Sequence, residues 1–290
     1  MRPADFGGAT STLVRVVVAV AVVWALYWAP AFVLLRVAHV LPHHADPRLV
    51  ELAARAILLG VAFALLRVPV HMLGRDYGPA GGGRAALWLV LGTFLVSLLV
   101  SVTIVSTSDA ARAGFTVGNA LDRWRDGFPA TGLAGRFLFN AVLGPLFEEV
   151  LFRVLILGFL LRSTRPVFAL AVSTLLFAAG HGSWLLSGLL GLAFGLLYLR
   201  FRGLWLCAAA HGLHNLVSAA GAPFLIAYLH EAGLLMPVGP HLLVLQLAWF
   251  FVSLACFAMF LREVFAGTSG GQLLLLPRPF QLQVKPTSAS

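Results

Sequence analysis

Long apolar runs broken by short polar clusters dominate the chain, from "LVRVVVAVAVVWALYWAPAFVLL" near its start to "HLLVLQLAWFFVSLACFAMFL" near its end. A helix needs about 20 mostly apolar residues to cross a bilayer. Eight stretches are candidates: residues 14–36, 49–68, 85–106, 134–161, 166–182, 186–200, 203–222 and 241–262. The pattern predicts an all-α polytopic membrane protein with about eight transmembrane helices. The sixth stretch, "SGLLGLAFGLLYLR", is short and glycine-rich, so a tilted or incomplete crossing is expected, with glycines that let backbones approach closely. The expected organisation is N-terminal helices and loops over 1–133, a helical core over 134–222, a final helix within 223–265, and a flexible tail over 266–290. No internal repeat is visible.

Composition sharpens this reading. Of 290 residues, 60% are hydrophobic and only 11% charged, against about 25% charged in soluble domains, which excludes an ordinary soluble enzyme. Cys207 and Cys256 both lie in apolar runs, so no disulfide framework or zinc knuckle is expected. The net charge of +9 is almost all arginine, with Lys285 the only lysine, a coding bias rather than chemistry. These arginines stand singly between apolar runs and form no nucleic-acid patch. They read as topology signals instead. With eight spans, Arg2, Arg67, Arg75, Arg84, Arg162, Arg165, Arg200, Arg202, Arg262, Arg278 and Lys285 share one side, which places both termini in the cytoplasm. Arg36, Arg48 and Arg55 depart from that pattern. The first apolar stretch exceeds a signal-peptide core and is expected as an uncleaved span. "GNALDRWRDGF" reads as an interfacial turn carrying Trp124 and Phe128, or as a solvated loop. "GPAGGGR" reads as a linker.

Against this background "GPLFEEVLFR" stands out, with Glu148, Glu149 and Arg153 inside an apolar span. Each central charge costs about 2.5–3.5 kcal/mol on translocon scales, so compensation is required. Glu149 and Arg153, four apart, share a helix face and are expected to pair. Glu148, turned about 100° away, is left to point elsewhere. Two more apolar spans carry polar groups four apart: Phe177 with His181, and His211 with Asn215. Convergence of the three would assemble one Glu, two His and one Asn, types that hold a divalent metal or activate a water beside hydrogen-bond donors. A lone buried histidine is more often a packing residue, so the expectation rests on three helices together. His214 is the alternative to His211 on that face. His39, His43 and His44, beside Asp46, read as membrane-edge histidines rather than metal ligands.

These three segments, in order, resemble the motifs of the CPBP intramembrane protease family, which includes type II CAAX prenyl proteases and bacteriocin-processing or immunity relatives. The pattern EExxxR, FxxxH and HxxxN or HxxxD is met by Glu148, Glu149 and Arg153, by Phe177 and His181, and by His211 and Asn215. The resemblance spans residues ~134–222. It implies an eight-span helical fold with a site buried in the membrane. Glu148 and His181 would hold and activate the attacking water, His211 and Asn215 would stabilise the oxyanion, and Glu149, Arg153 and Phe177 would support the site. Glu148, His181, His211 and Asn215 would also be the ligands of a divalent metal, zinc by preference, although the HExxH signature is missing. The expected partners are a peptide or membrane-protein substrate and the lipid bilayer, with no nucleic acid, in a bacterial inner membrane.

Rival readings stay open at this point. Gly182-Ser183 with His211 lacks the surroundings of a rhomboid-type serine protease. Aspartyl intramembrane proteases need Asp in spans, and every Asp here lies in a loop or terminus. An ion or proton transporter would use the same buried charges and usually shows repeats. A non-catalytic immunity or scaffold protein would keep the fold alone.

Overall fold

The computed structural model describes residues 14–25, 47–66, 82–107, 116, 118–119, 132–162, 164–181, 184–232 and 240–266. Among these residues every regular element is helical and no strand occurs. Helices lie on all eight apolar stretches: α1 Val14–Ala25, α2 Pro47–Leu66, α3 Gly82–Thr107, α4 over 132–160, α5 Pro166–Ala179, α6 Trp184–Phe201, α7 Leu204–Glu231 and α8 Pro240–Phe265. Four are long and apolar enough to cross a membrane: Gly82–Thr103, Trp184–Phe201, Leu204–Glu231 and Leu243–Phe265. The sixth stretch is a helix of 18 residues, the shortest of these four. The loop cluster of His39, His43 and His44, the turn with Trp124 and Phe128, linker residues 78–81, Gly182-Ser183 and the tail from 267 lie outside the described residues.

The chain divides into two compact units. The first holds residues 1–73, 151–195 and 267–290. Its centre is the buried run Leu151–Leu157 of α4, against which α5 is pinned: Ser173 Oγ donates to Phe152 O at 3.0 Å. α6 packs on α5 through glycines. A Cβ at Gly191 would stand 3.0 Å from the Phe177 ring, and one at Gly195 would displace the end of the Leu170 side chain, so the two helices approach closely here. Arg15 of α1 donates to Phe159 O at 3.3 Å and lies over the Phe159 ring.

The second unit holds residues 74–150 and 196–266. Here α3 and α8 pack closely at Gly92, whose carbonyl accepts from Ser253 Oγ at 2.9 Å and whose missing side chain admits Cys256 and Phe257. Leu98 and Val102 of α3 bury with Ala222, Ile226 and Ala227 of α7.

Candidate active site

The long helices that carry the motif residues are not uniform. α4 changes to π geometry at Leu138–Leu143 and again at Val150–Leu157, and α7 does so at Asn215–Gly221. Such wide turns are rare and occur frequently at functional sites. The first has a local cause. Gly144 N–H reaches back five residues to Phe139 O, so Asn140 O loses its ordinary helical donor. Pro145 has no N–H to return to Ala141 O. Two successive carbonyls thus lose their ordinary helical donors, and α7 supplies a new one to Asn140 O.

Within the second unit, α7 approaches this turn so closely that a Cβ at Gly212 would collide with the Ala141 carbonyl oxygen. One turn on, Asn215 Nδ2 donates to Asn140 O at 3.0 Å. That approach brings His211 against the two adjacent glutamates of α4. His211 Nδ1 lies 2.9 Å from Glu149 Oε1. Its Nε2 lies 3.8 Å from Glu148 Oε2. A carboxylate only accepts, so Nδ1 carries the proton and the Nε2 lone pair faces the Glu148 side in the neutral ring. Glu149 is wholly enclosed, whereas the Glu148 side chain keeps 19% exposure. The second contact is too long for a hydrogen bond, but its ends suit one oxygen atom held by both groups.

The ring between the carboxylates is therefore His211. His214, the alternative weighed from sequence, is hydrogen-bonded to Ser218 Oγ at 3.1 Å. Glu149, expected as the helix-supporting partner of Arg153, makes a contact with His211 that sequence reasoning did not foresee. Asn140 and Gly212 were also overlooked. Their signals were present: Gly144-Pro145 inside an apolar helix forecasts a disturbed turn, and a glycine directly after a motif histidine marks close backbone approach.

The first unit holds the other three motif residues. Arg153 is fully buried, with its guanidinium carbon 5.3 Å from the centre of the Phe177 ring. Phe177 stacks on His181, ring centres 4.4 Å apart and 27° from parallel, and meets Phe152 edge-on at 5.1 Å. α5 ends at Ala179, so His181 lies in the turn beyond it. His181 Nδ1 is 2.7 Å from Phe177 O. A carbonyl accepts, so Nδ1 donates and Nε2 again bears the lone pair. The FxxxH spacing has two physical uses here: the phenylalanine carbonyl selects the tautomer and its ring sets the plane.

The donor chemistry of His211 suits a metal ligand, since metal-binding histidines usually give their other N–H to a carboxylate. Among the described residues, however, no three His, Cys, Asp or Glu side chains gather as a metal site.

Comparison with known proteins places this constellation. Residues 130–217 match the family described as type II CAAX prenyl endopeptidase Rce1-like. Over 166 residues the chain is 32% identical to the putative membrane peptidase YdiL of Bacillus subtilis strain 168, covering 55% of this chain and 65% of that protein. No solved structure matches the chain. The three motifs lie in order within the matched segment, and residues 130–217 are similar to this Rce1-like endopeptidase family.

Proposed function

We propose that the chain is an intramembrane peptidase that hydrolyses a peptide bond with a water activated between Glu148 and His211. The observation that carries this reading is the placement of one imidazole between two neighbouring carboxylates of unequal exposure, inside apolar helices. The enclosed carboxylate holds the ring. The other keeps 19% exposure, and its Oε2, buried on the side of the ring, is the atom that would take a proton from a water admitted there.

In the proposed reaction Glu148 takes a proton from the water as its oxygen bonds to the substrate carbonyl carbon. The carbonyl oxygen becomes an oxyanion, which Asn215 stabilises, while the His211 Nε2 lone pair accepts a hydrogen bond from the water and holds it for attack. Collapse of the intermediate breaks the C–N bond, and Glu148 returns the proton to the departing amine. Glu149 holds the Nδ1–H of His211 and so keeps the Nε2 lone pair towards the water, and the low dielectric of the surroundings strengthens each interaction. Asn215 already gives one amide hydrogen to Asn140 O, which leaves its second hydrogen for substrate. The family motif, not a measured distance, assigns His181 to the same chemistry.

Zinc is proposed as an addition to this set. Glu148, His211 and the amide oxygen of Asn215 would hold it together with the His181 that the motif supplies, and it would contribute Lewis acidity. The substrate class proposed is a peptide or membrane protein, with CAAX-type processing, which the family description supports, and small-peptide processing as its two forms.

The test is Glu148→Gln in full-length protein assayed on a reporter peptide. Turnover should vanish while folded yield stays normal. Unchanged turnover would remove Glu148 from the chemistry, and a protein that conducted ions across liposomes without cutting any peptide would favour a transporter. Elemental analysis of the active protein tests the zinc: equimolar metal, and activity lost to a chelator, are expected. Full turnover in metal-free protein would leave the carboxylate and imidazole alone.

A further inference from the structure

At one end of the second unit α3 begins, α6 ends, α7 begins and α8 ends, and these termini are tied together. Arg84 Nη2 pairs with Glu263 Oε2 at 3.3 Å. Arg200 Nη2 donates to Ala266 O, just past α8, at 2.6 Å. Gly82 stands so close to Phe201 and Leu206 that its Cβ would touch both. Arg84, Arg200, Arg202 and Arg262 therefore lie at this end, with Glu263 between them in sign. Three details go beyond a topology signal. Arg202 adopts φ 56° between α6 and α7, a left-handed conformation that costs a side-chain-bearing residue about 1–2 kcal/mol. Arg200 Nε is buried with no hydrogen-bond partner among the described residues, which is uncommon for a guanidinium. Trp205, on the first turn of α7, and Leu87, near the start of α3, are 54% and 60% exposed, and tryptophan is enriched where headgroups meet acyl chains.

We infer that this end of the second unit is a binding site for the phosphate headgroup of an anionic phospholipid. Arg84, Arg200, Arg202 and Arg262 supply its charge, and Trp205 and Leu87 receive its acyl chain. Basic residues at a helix end attract anionic lipid by about 1 kcal/mol each. Guanidinium groups suit phosphate because their planar donors can bind it in pairs. The strained backbone at Arg202 puts an arginine where glycine would fold more easily, as positions held for binding often do.

The test uses full-length protein in neutral detergent, with bound lipid read by native mass spectrometry against phosphatidylglycerol, phosphatidylcholine and inorganic phosphate. Phosphatidylglycerol should bind saturably and phosphatidylcholine weakly. Arg202→Gly should lower affinity for phosphatidylglycerol about fivefold, the conversion of about 1 kcal/mol, while its melting temperature holds or rises because the strain is relieved. The double variant Arg84→Gln with Arg262→Gln should weaken binding about thirtyfold on the same scale. Arg165→Gln, an equal charge loss in the first unit, should change nothing. Wild-type affinity in Arg202→Gly, equal binding of phosphatidylcholine, or an equal loss in Arg165→Gln would overturn the proposal. So would inorganic phosphate that displaces all bound lipid at comparable concentration, since the ligand would then be free phosphate.

Discussion

His211 donates its Nδ1 proton to Glu149 at 2.9 Å, across the interval from α7 to α4. The bond makes the two glutamates of one dipeptide inequivalent. Glu149 is sealed from solvent and spends an oxygen on the ring, whereas Glu148 lies 3.8 Å from the opposite nitrogen and remains partly exposed. An adjacent pair in sequence thus becomes an orienting group and a reacting group. Glu149→Gln tests the division. The amide keeps an acceptor for Nδ1–H but removes the negative charge beside the ring. Turnover is expected to fall about 10–100-fold, as for other partners that orient a histidine, with the folded yield retained. Unchanged turnover with a low folded yield would confine Glu149 to support of the helix.

Asn215 makes the complementary case. Its Nδ2 reaches a backbone carbonyl that the π turn at 138–143 exposes. The family pattern admits Asp at this place, but here a carboxylate would set oxygen against the oxygen of Asn140. Asn215→Asp should therefore destabilise the protein by about 1–2 kcal/mol and reduce turnover, whereas a chain that adapted would show wild-type melting. Thermal denaturation in detergent separates the two outcomes.

Much of this was legible from sequence because a membrane punishes stray charge. Glu148, Glu149 and Arg153 could not sit in an apolar run without partners, and the eight runs themselves fall on helices. What could not be read was the winding. The spacing argument assumed 3.6 residues per turn, whereas α4 is π-wound from Val150 onward, and it gave no hint that Glu149 also meets residue 211. Periodicity also missed the reach of α7 to Glu231, since Gly221 and Pro223 resemble a stop. The π turn ends at Gly221, and Pro223 falls in the first turn of the α segment that follows, where a missing N–H is tolerated.

Phe177 links three groups in the first unit: the Arg153 guanidinium over its ring, the His181 imidazole stacked on it, and its own carbonyl on His181 Nδ1. Phe177→Leu keeps the carbonyl and most of the volume but removes both ring contacts. Stacking contributes about 0.5–1.5 kcal/mol and a desolvated cation–π contact about 2. A stability loss of about 2–3 kcal/mol is expected, read from the melting temperature. Phe177→Tyr keeps the ring and should stay close to wild type. An equal loss in both variants would assign the effect to packing volume instead.

Two glycines distinguish a positional requirement from simple crowding. A Cβ at Gly195 would meet the end of the Leu170 side chain, whereas one at Gly212 would meet the carbonyl oxygen of Ala141. A leucine can change rotamer. A backbone oxygen on a helix cannot retreat without moving the turn that carries it. Gly195→Ala should cost at most about 1 kcal/mol, and Gly212→Ala should cost about 1–3 kcal/mol or more, the range for overpacking a close contact. The chemistry should separate them further. Gly212→Ala pushes α7 away from α4 beside His211 and lengthens both carboxylate contacts, so turnover should fall by at least 100-fold, as about 1 Å of misplacement does. Gly195→Ala should leave turnover within a few fold. Measuring kcat and melting temperature for both alanine variants is sufficient: equal turnover in the two would show that the approach of α7 to the π turn is not what seats His211 between the glutamates.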